Sequence, residues 1–274
     1  MKASDEKKLI QLFKRLSTTQ KIIASVVVVL AIGGYYVYQN NLAQPARQTV
    51  TSTVSQTVSG SNTTQEDLLK LKWDGSDDYY TQVNGGKSTF SDAELKQSQD
   101  KDYWVTFSAL DKLGRAQVAN ARLSYTQYMK VKNISRPRIP NDPIGWRYQG
   151  HSNNQDIYFD NELVTLYNRS HLIAWMFTGD AGSKENLVTG TRAMNSPGMN
   201  DFEGQISDVL YYKKLHVRYQ VTPIYNGNER LPRGVHMMAK SIEDGGKAYD
   251  LNVYVFNIQP GYQINYLTGQ GQKK

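Results

Sequence analysis

Asn168-Arg169-Ser170-His171-Leu172-Ile173-Ala174-Trp175 and the run LVTGTRAMNSPGMNDFE from Leu187 to Glu203 are the two stretches around which the chain is organised. In the second, Ser196 suits a helix N-cap and Pro197 the first helical position, where a missing N–H costs nothing. The helix they open continues as GMNDFEGQISDVLYYKKL. At 100° per residue, Met199, Phe202, Ile206, Val209 and Leu210 share one apolar arc, and Glu203 falls at its edge. A carboxylate there is either a boundary residue with its head in water or an ion held beside a site. The boundary reading is the more ordinary, because charged residues are rarely fully buried unless paired. By the same reasoning His171, at the end of a strand-like run, reads first as a structural histidine, and Asn195 as a turn former or cap.

Downstream, HVRYQVTPIY from His216 to Tyr225 alternates Val217, Tyr219 and Val221 with Arg218, Gln220 and Thr222, and ends in the turn signal Asn226-Gly227. Gly234 to Ile242 and Leu251 to Gln259 read as two further strands, so an antiparallel sheet is expected. Upstream, a short strand at Tyr79 to Val83 precedes the Asn84-Gly85-Gly86 turn. A helix starts at Ser91, with Glu94 completing a capping box. Leu110, Leu113, Ala116, Ala119, Ala121 and Leu123 are spaced as one face of a further helix, with Gly114 allowing close approach. Pro137, Pro140 and Pro143 mark an irregular loop.

The domain so outlined begins near Glu66. Residues 40–66 are rich in Ser, Thr, Gln and Asn and too poor in apolar groups to fold, so they are expected to act as a tether. Ahead of them, Ile22 to Tyr38 (IIASVVVVLAIGGYYVY) is 17 residues without a charge, closed by a tyrosine cluster of the kind that sits at a bilayer interface. Its basic flank should stay in the cytoplasm. The expected layout is a basic cytoplasmic tail at 1–21, a transmembrane anchor at 22–38, a disordered polar linker at 39–65 and an extracellular domain at 66–274. The alternative is a cleaved signal peptide and a secreted domain. The run is longer than a usual signal core, and no small-x-small site directly follows it.

The 274 residues contain no cysteine, which excludes disulfides, thiolate metal sites and thiol nucleophiles. Of the net charge of +7, residues 1–21 carry +4, so bulk charge alone does not argue for nucleic acid. There are four histidines. His151, His216 and His236 lack the paired spacing of a zinc set and read as structural or surface residues. Ser170 beside His171 is no serine-hydrolase pair, because strand neighbours face opposite ways and no G-x-S-x-G elbow exists.

Taken together, NRSH at 168–171, Asn195 placed 24 residues after His171, and Glu203 eight beyond Asn195 resemble the DNA/RNA non-specific endonucleases of the ββα-metal type. The likeness is strongest to the streptodornase-like and DNA-uptake nucleases of Gram-positive bacteria. The later runs HVRYQVTPIYNGN, SIEDGG and NVYVFNIQPGYQINYLTG also resemble that group, and LDKLGR at Leu110 to Arg115 does so more loosely. The similarity spans most of residues 70–270. Asn168 and Ser170 stand where much of the wider family has aspartate and glycine, although the streptodornase-like branch carries NRSH itself. Gly190 stands where some relatives have a glutamine near the metal, and no role is given to it.

The resemblance implies an α+β fold, a ββα-metal nuclease core with an antiparallel sheet and packed helices, and the uncharged run at 22–38 adds one N-terminal transmembrane helix before it. Together they imply a membrane-anchored extracellular endonuclease acting on DNA, with RNA as an open second substrate. His171 would be the general base, and Asn195 the direct ligand to a single hydrated Mg²⁺, with Mn²⁺ as the alternative ion. Glu203 would hold a metal-bound water. Asn186 would fix the metal loop or a metal-bound water. Arg169 would contact a phosphate or, alternatively, form a structural ion pair. Two rival readings remain open here: a catalytically inactive DNA-binding surface receptor with the same fold, and an adhesive surface protein in which the tether matters most.

Overall fold

The computed structural model describes residues 63–97, 99 and 101–274. The expected cytoplasmic tail, transmembrane anchor and nearly all of the linker lie outside these residues. Among the described residues no helix is long and apolar enough to cross a membrane.

In chain order the elements are α1 (Gln65–Lys70), β1 (Tyr80–Gln82), α2 (Asp92–Gln97), β2 (Trp104–Phe107), β3 (Ala119–Leu123), α3 (Tyr125–Lys132), β4 (Arg147–Tyr148) and β5 (His151–Ser152). There follow β6 (Asp156–Phe159), β7 (Glu162–Thr165), β8 (Tyr167–His171), α4 (Trp175–Thr178), β9 (Leu187–Thr191) and α5 (Asn200–Asp208). The chain ends with β10 (Val217–Ile224), β11 (Gly234–Ser241), β12 (Asp250–Phe256), β13 (Tyr262–Ile264) and β14 (Gly271–Lys273). The first helix is ordered from its cap inward: Thr64 and Asp67 form a reciprocal capping box, with the cap residue two positions before the expected domain start. The second uses Ser91 and Glu94 in the same way.

Six strands make an antiparallel sheet in the order β1-β12-β11-β10-β3-β2. Tyr219 lies opposite Ala239 on one side and Ala121 on the other, and the small alanines leave room for its ring. The residues sharing that face, among them Val217, Val221, Met237 and Val253, form the main core with Met199, Phe202, Ile206, Val209 and Leu210. Each such side chain fully buried contributes about 1.5–3 kcal/mol relative to exposure. The apolar arc predicted from spacing is therefore the face that seats α5 on the sheet. The opposite sheet face is covered too, for Arg218 is buried with its guanidinium over Phe90 and Trp104.

Two expectations need correction. The helix read across Leu110 to Leu123 is absent. Residues 104–107 and 119–123 are paired strands, joined by a turn in which Gly114 has φ 75°. In ANARL the period is two, with Ala119, Ala121 and Leu123 on the buried face, and the 3.6-residue match came from joining those positions to loop residues. The helix expected to open at Ser196 also starts differently. Ser196 has the extended backbone of a residue before proline, at φ −152° and ψ 120°. Pro197 to Met199 then form a wide turn, and regular helix begins at Asn200.

Candidate active site

The strands β8 and β9 form a ribbon separate from the large sheet, pairing Tyr167 with Thr191 and His171 with Leu187. His171 is thus the last paired residue of one strand. Asn195 follows four residues after the last paired residue of the other. Across the ribbon Asn168 lies opposite Gly190, and a Cβ on Gly190 would collide with the Ser170 Oγ and the Met194 Cε. Ser170 and Gly190 are therefore complementary, the hydroxyl filling the space that the glycine leaves.

The chain leaving His171 is held by Asn186. Its Oδ1 accepts the Ile173 N–H at 2.9 Å, and its Nδ2 donates to the Ile173 carbonyl at 3.0 Å and to Asp180 Oδ2 at 3.1 Å. Burial alone would raise the Asp180 carboxyl, but hydrogen bonds from Ser183, Asn186 and Gly182 together hold it below its ordinary value. Asn186 is fully buried and does not line the pocket described next, and its amide clamps the loop that leaves His171. Asn186→Leu is expected to cost about 3 kcal/mol by stranding these buried partners. Equilibrium urea unfolding measures this, and an unchanged midpoint would show that the clamp contributes nothing. Arg169 is also directed elsewhere. It donates two hydrogen bonds to Asp142 Oδ1, at 2.9 and 2.6 Å, and stacks 4.4 Å from the Trp146 ring centroid. Of its two expected roles the structure places it in the ion pair.

His171, Asn195 and Glu203 line one pocket of about 160 Å³, together with Arg136, Trp175, Met199 and Asn200. The backbone after β9 is fixed by buried bonds: Thr191 N–H donates to Asn257 Oδ1, Ala193 N–H to Gln259 Oε1 and Met194 N–H to Thr191 Oγ1. The Asn195 amide itself has no hydrogen-bond partner among the described residues. Glu203 is 8% exposed, so the boundary reading with its head in water fails. Burial pushes its carboxyl up to about 8, and only the Arg136 charge opposes this.

Arg136 was not singled out from sequence, because it lies in the proline-rich loop after α3, where nothing periodic points to a site. Its Nη2 stands 3.4 Å from His171 Nδ1. A guanidinium is only a donor, so Nδ1 carries the lone pair in this contact and the neutral ring keeps its proton on Nε2. Burial, and after it the Arg136 charge, lowers the His171 pKa, while the Asp180 charge and the carbonyls of Ala181 and Asp180 act the other way. The imidazole is therefore neutral at neutral pH.

The chemistry of these donors fits a hydrated divalent ion. Among the described residues no group of three or more His, Cys, Asp or Glu could hold a metal. An ion held in this pocket would draw on the Asn195 amide oxygen and retain waters, as Mg²⁺ does. Glu203, buried without a hydrogen-bonding partner among the described residues, would be kept ionised by a nearby cation.

A sequence model of the family described as DNA/RNA non-specific endonuclease matches residues 94–243. Among solved structures, Sda1 nuclease with bound zinc ion is similar at a TM-score of 0.61 and 25% identity, over 72% of this chain and 97% of that one. NucA from Streptococcus agalactiae with magnesium ion bound is similar at 0.59 and 22%, over 71% of this chain and 87% of that one.

Proposed function

The chain belongs to the DNA/RNA non-specific endonuclease family, and from that premise we propose that it hydrolyses phosphodiester bonds of DNA, and of RNA as a second substrate, with little sequence preference. The observation that carries this reading is the convergence of His171, Asn195, Glu203 and Arg136 on one pocket. With Arg136 turned from its long 3.4 Å contact toward the phosphate, a neutral His171 accepts a proton from water at Nδ1, the water oxygen attacks phosphorus, and the 3′ oxygen leaves, taking a proton from a second water. Nε2–H stays on the ring throughout, and burial keeps the resting imidazole neutral so that its Nδ1 lone pair is present when water arrives. Arg136 offers a fixed positive charge to the phosphoryl oxygens as negative charge builds on them. Asn195 would hold Mg²⁺, or Mn²⁺ in its place, through its amide oxygen, and Glu203 would accept a hydrogen bond from a water on the ion. When bound, the ion supplies Lewis-acid stabilisation and a template for the leaving oxygen. Zinc in Sda1 and magnesium in NucA support a divalent ion here.

The reading includes an N-terminal membrane anchor at 22–38 with the nuclease domain, 66–274, outside the cell. Support comes from the uncharged run and the basic residues before it.

The test is nicking of supercoiled plasmid by the full chain in Mg²⁺ or in EDTA. Cutting in Mg²⁺ that EDTA abolishes is expected. A folded chain that shifts DNA in a salt-sensitive way but never cuts would replace the nuclease with the receptor. A second test follows from the charge beside His171. Since the folded-state pKa is lowered, the base is fully available above the ordinary histidine range near 6.5, and activity is lost as pH falls through the lowered value. In Arg136→Ala the acid limb of log kcat/KM against pH is expected to move up toward that ordinary range. A limb that stays in place would show that the Arg136 charge does not act on the base.

A further inference from the structure

A wider helical turn, Val209–Lys213, continues α5, and its Tyr211 and Tyr212 face α3 across a cluster of rings and ammonium groups that the catalytic pocket does not use. Tyr125 and Tyr211 lie 6.3 Å apart, and Tyr211 meets Tyr212 edge to face at 4.9 Å. Lys132 Nζ stands 4.6 Å from the Tyr211 ring centroid, and Lys214 Nζ 5.3 Å from that of Tyr125. Single exposed aromatics are ordinary on a surface. Here Tyr212 is 76% exposed and edge to face with Tyr211, a ring that itself carries the Lys132 ammonium, which is less ordinary.

Three observations point to a ligand of one kind. Residues 124–138 and 209–214 carry six lysines and arginines and no acidic residue, more positive charge than the net +3 of the whole chain beyond residue 21. Lys214 ends its helix with φ 54° and ψ 28°, a conformation that glycine adopts at less cost, and a lysine there instead sets its ammonium over a ring. The patch is also tied to the pocket through packing and through the chain. Tyr128 of α3 packs on Phe177 of α4, the helix that brings Trp175 to the pocket, and Arg136 follows Lys132 within at most about 14 Å of chain. Stacking faces between phosphate-binding cations suit a strand whose bases are unpaired.

We propose that this surface is an accessory binding site for an unpaired nucleic-acid strand, which it guides along α3 toward Arg136 and the catalytic pocket. The proposal rests on the nuclease reading, and binding and chemistry are therefore measured apart. Tyr212→Ala and Lys214→Gly change an exposed ring and a residue whose backbone already favours glycine, so the fold should survive both. Binding of labelled oligothymidylate to the full chain in EDTA is followed by fluorescence polarisation. Hydrolysis of bis(p-nitrophenyl) phosphate in Mg²⁺, a substrate too small to reach the patch, reports on the pocket. Each variant is expected to bind oligothymidylate about tenfold more weakly, with a smaller loss for duplex and unchanged hydrolysis of the small ester. Unweakened oligothymidylate binding would overturn the proposal. So would an equal loss on duplex and single strand, or a loss seen with anionic lipid vesicles and not with nucleic acid. A parent that binds the oligonucleotide but leaves the ester intact would instead refute the nuclease reading.

Discussion

Replacing His171 with alanine is expected to slow plasmid cleavage by about a thousandfold, within the range of a lost general base. The effect should fall on the chemical step. His171 sits at the end of β8, and its imidazole keeps a long contact to Arg136 at 3.4 Å beside the influence of the Asp180 and Ala181 carbonyls, so little of the fold depends on it. Nε2 is buried without a well-formed hydrogen bond, and its removal strands no partner. Thermal unfolding of the variant should therefore stay close to the parent while the nicking rate collapses. Because the lost function is a lone pair at Nδ1, raising Mg²⁺ should restore none of the rate. Activity within tenfold of the parent would remove His171 from the role of base.

Asn195→Ala is expected to produce a loss of similar size, about a hundredfold to a thousandfold, but of a different kind. The amide leaves no protein partner stranded, and the backbone around it is fixed by Thr191, Asn257 and Gln259 independently of its side chain. What disappears is an oxygen for the ion, so the apparent Mg²⁺ requirement should rise steeply and high Mg²⁺ should recover part of the rate. Asn195→Asp keeps an oxygen and adds a charge, and should retain more activity than the alanine variant. A titration in which Asn195→Ala needs no more Mg²⁺ than the parent would sink the assignment.

These two residues were legible in the sequence only as a pair in a pattern. Read singly, each had an ordinary structural explanation. Strand spacing gave β10, β11 and β12 to within a few residues, because their alternation is unbroken. It failed at β3, where alanines and a leucine lie close enough to nearby loop leucines to mimic a helix. Glu203 shows the limit of helix geometry: an edge position says which arc a carboxylate occupies, not whether the neighbouring chain closes over it. Arg136 was invisible for a different reason. It reaches the site from an irregular proline-rich loop, and only tertiary folding brings it beside His171. Asn186 was read as fixing the metal loop or a metal-bound water, and its amide is taken up by Ile173 and Asp180.

The ribbon of β8 and β9 changes what counts as the signature of such a site. His171 and Asn195 are 24 positions apart in the chain, yet each is defined by its offset from a ribbon end: zero residues on one strand, four on the other. Of that count, the five residues of β9 and the four that follow belong to the site, and the remaining fifteen, 172–186, measure the length of a connecting segment. A search template built on fixed spacing would reject a chain with a longer loop and an intact site. One that indexes both residues to the paired strand termini would accept it.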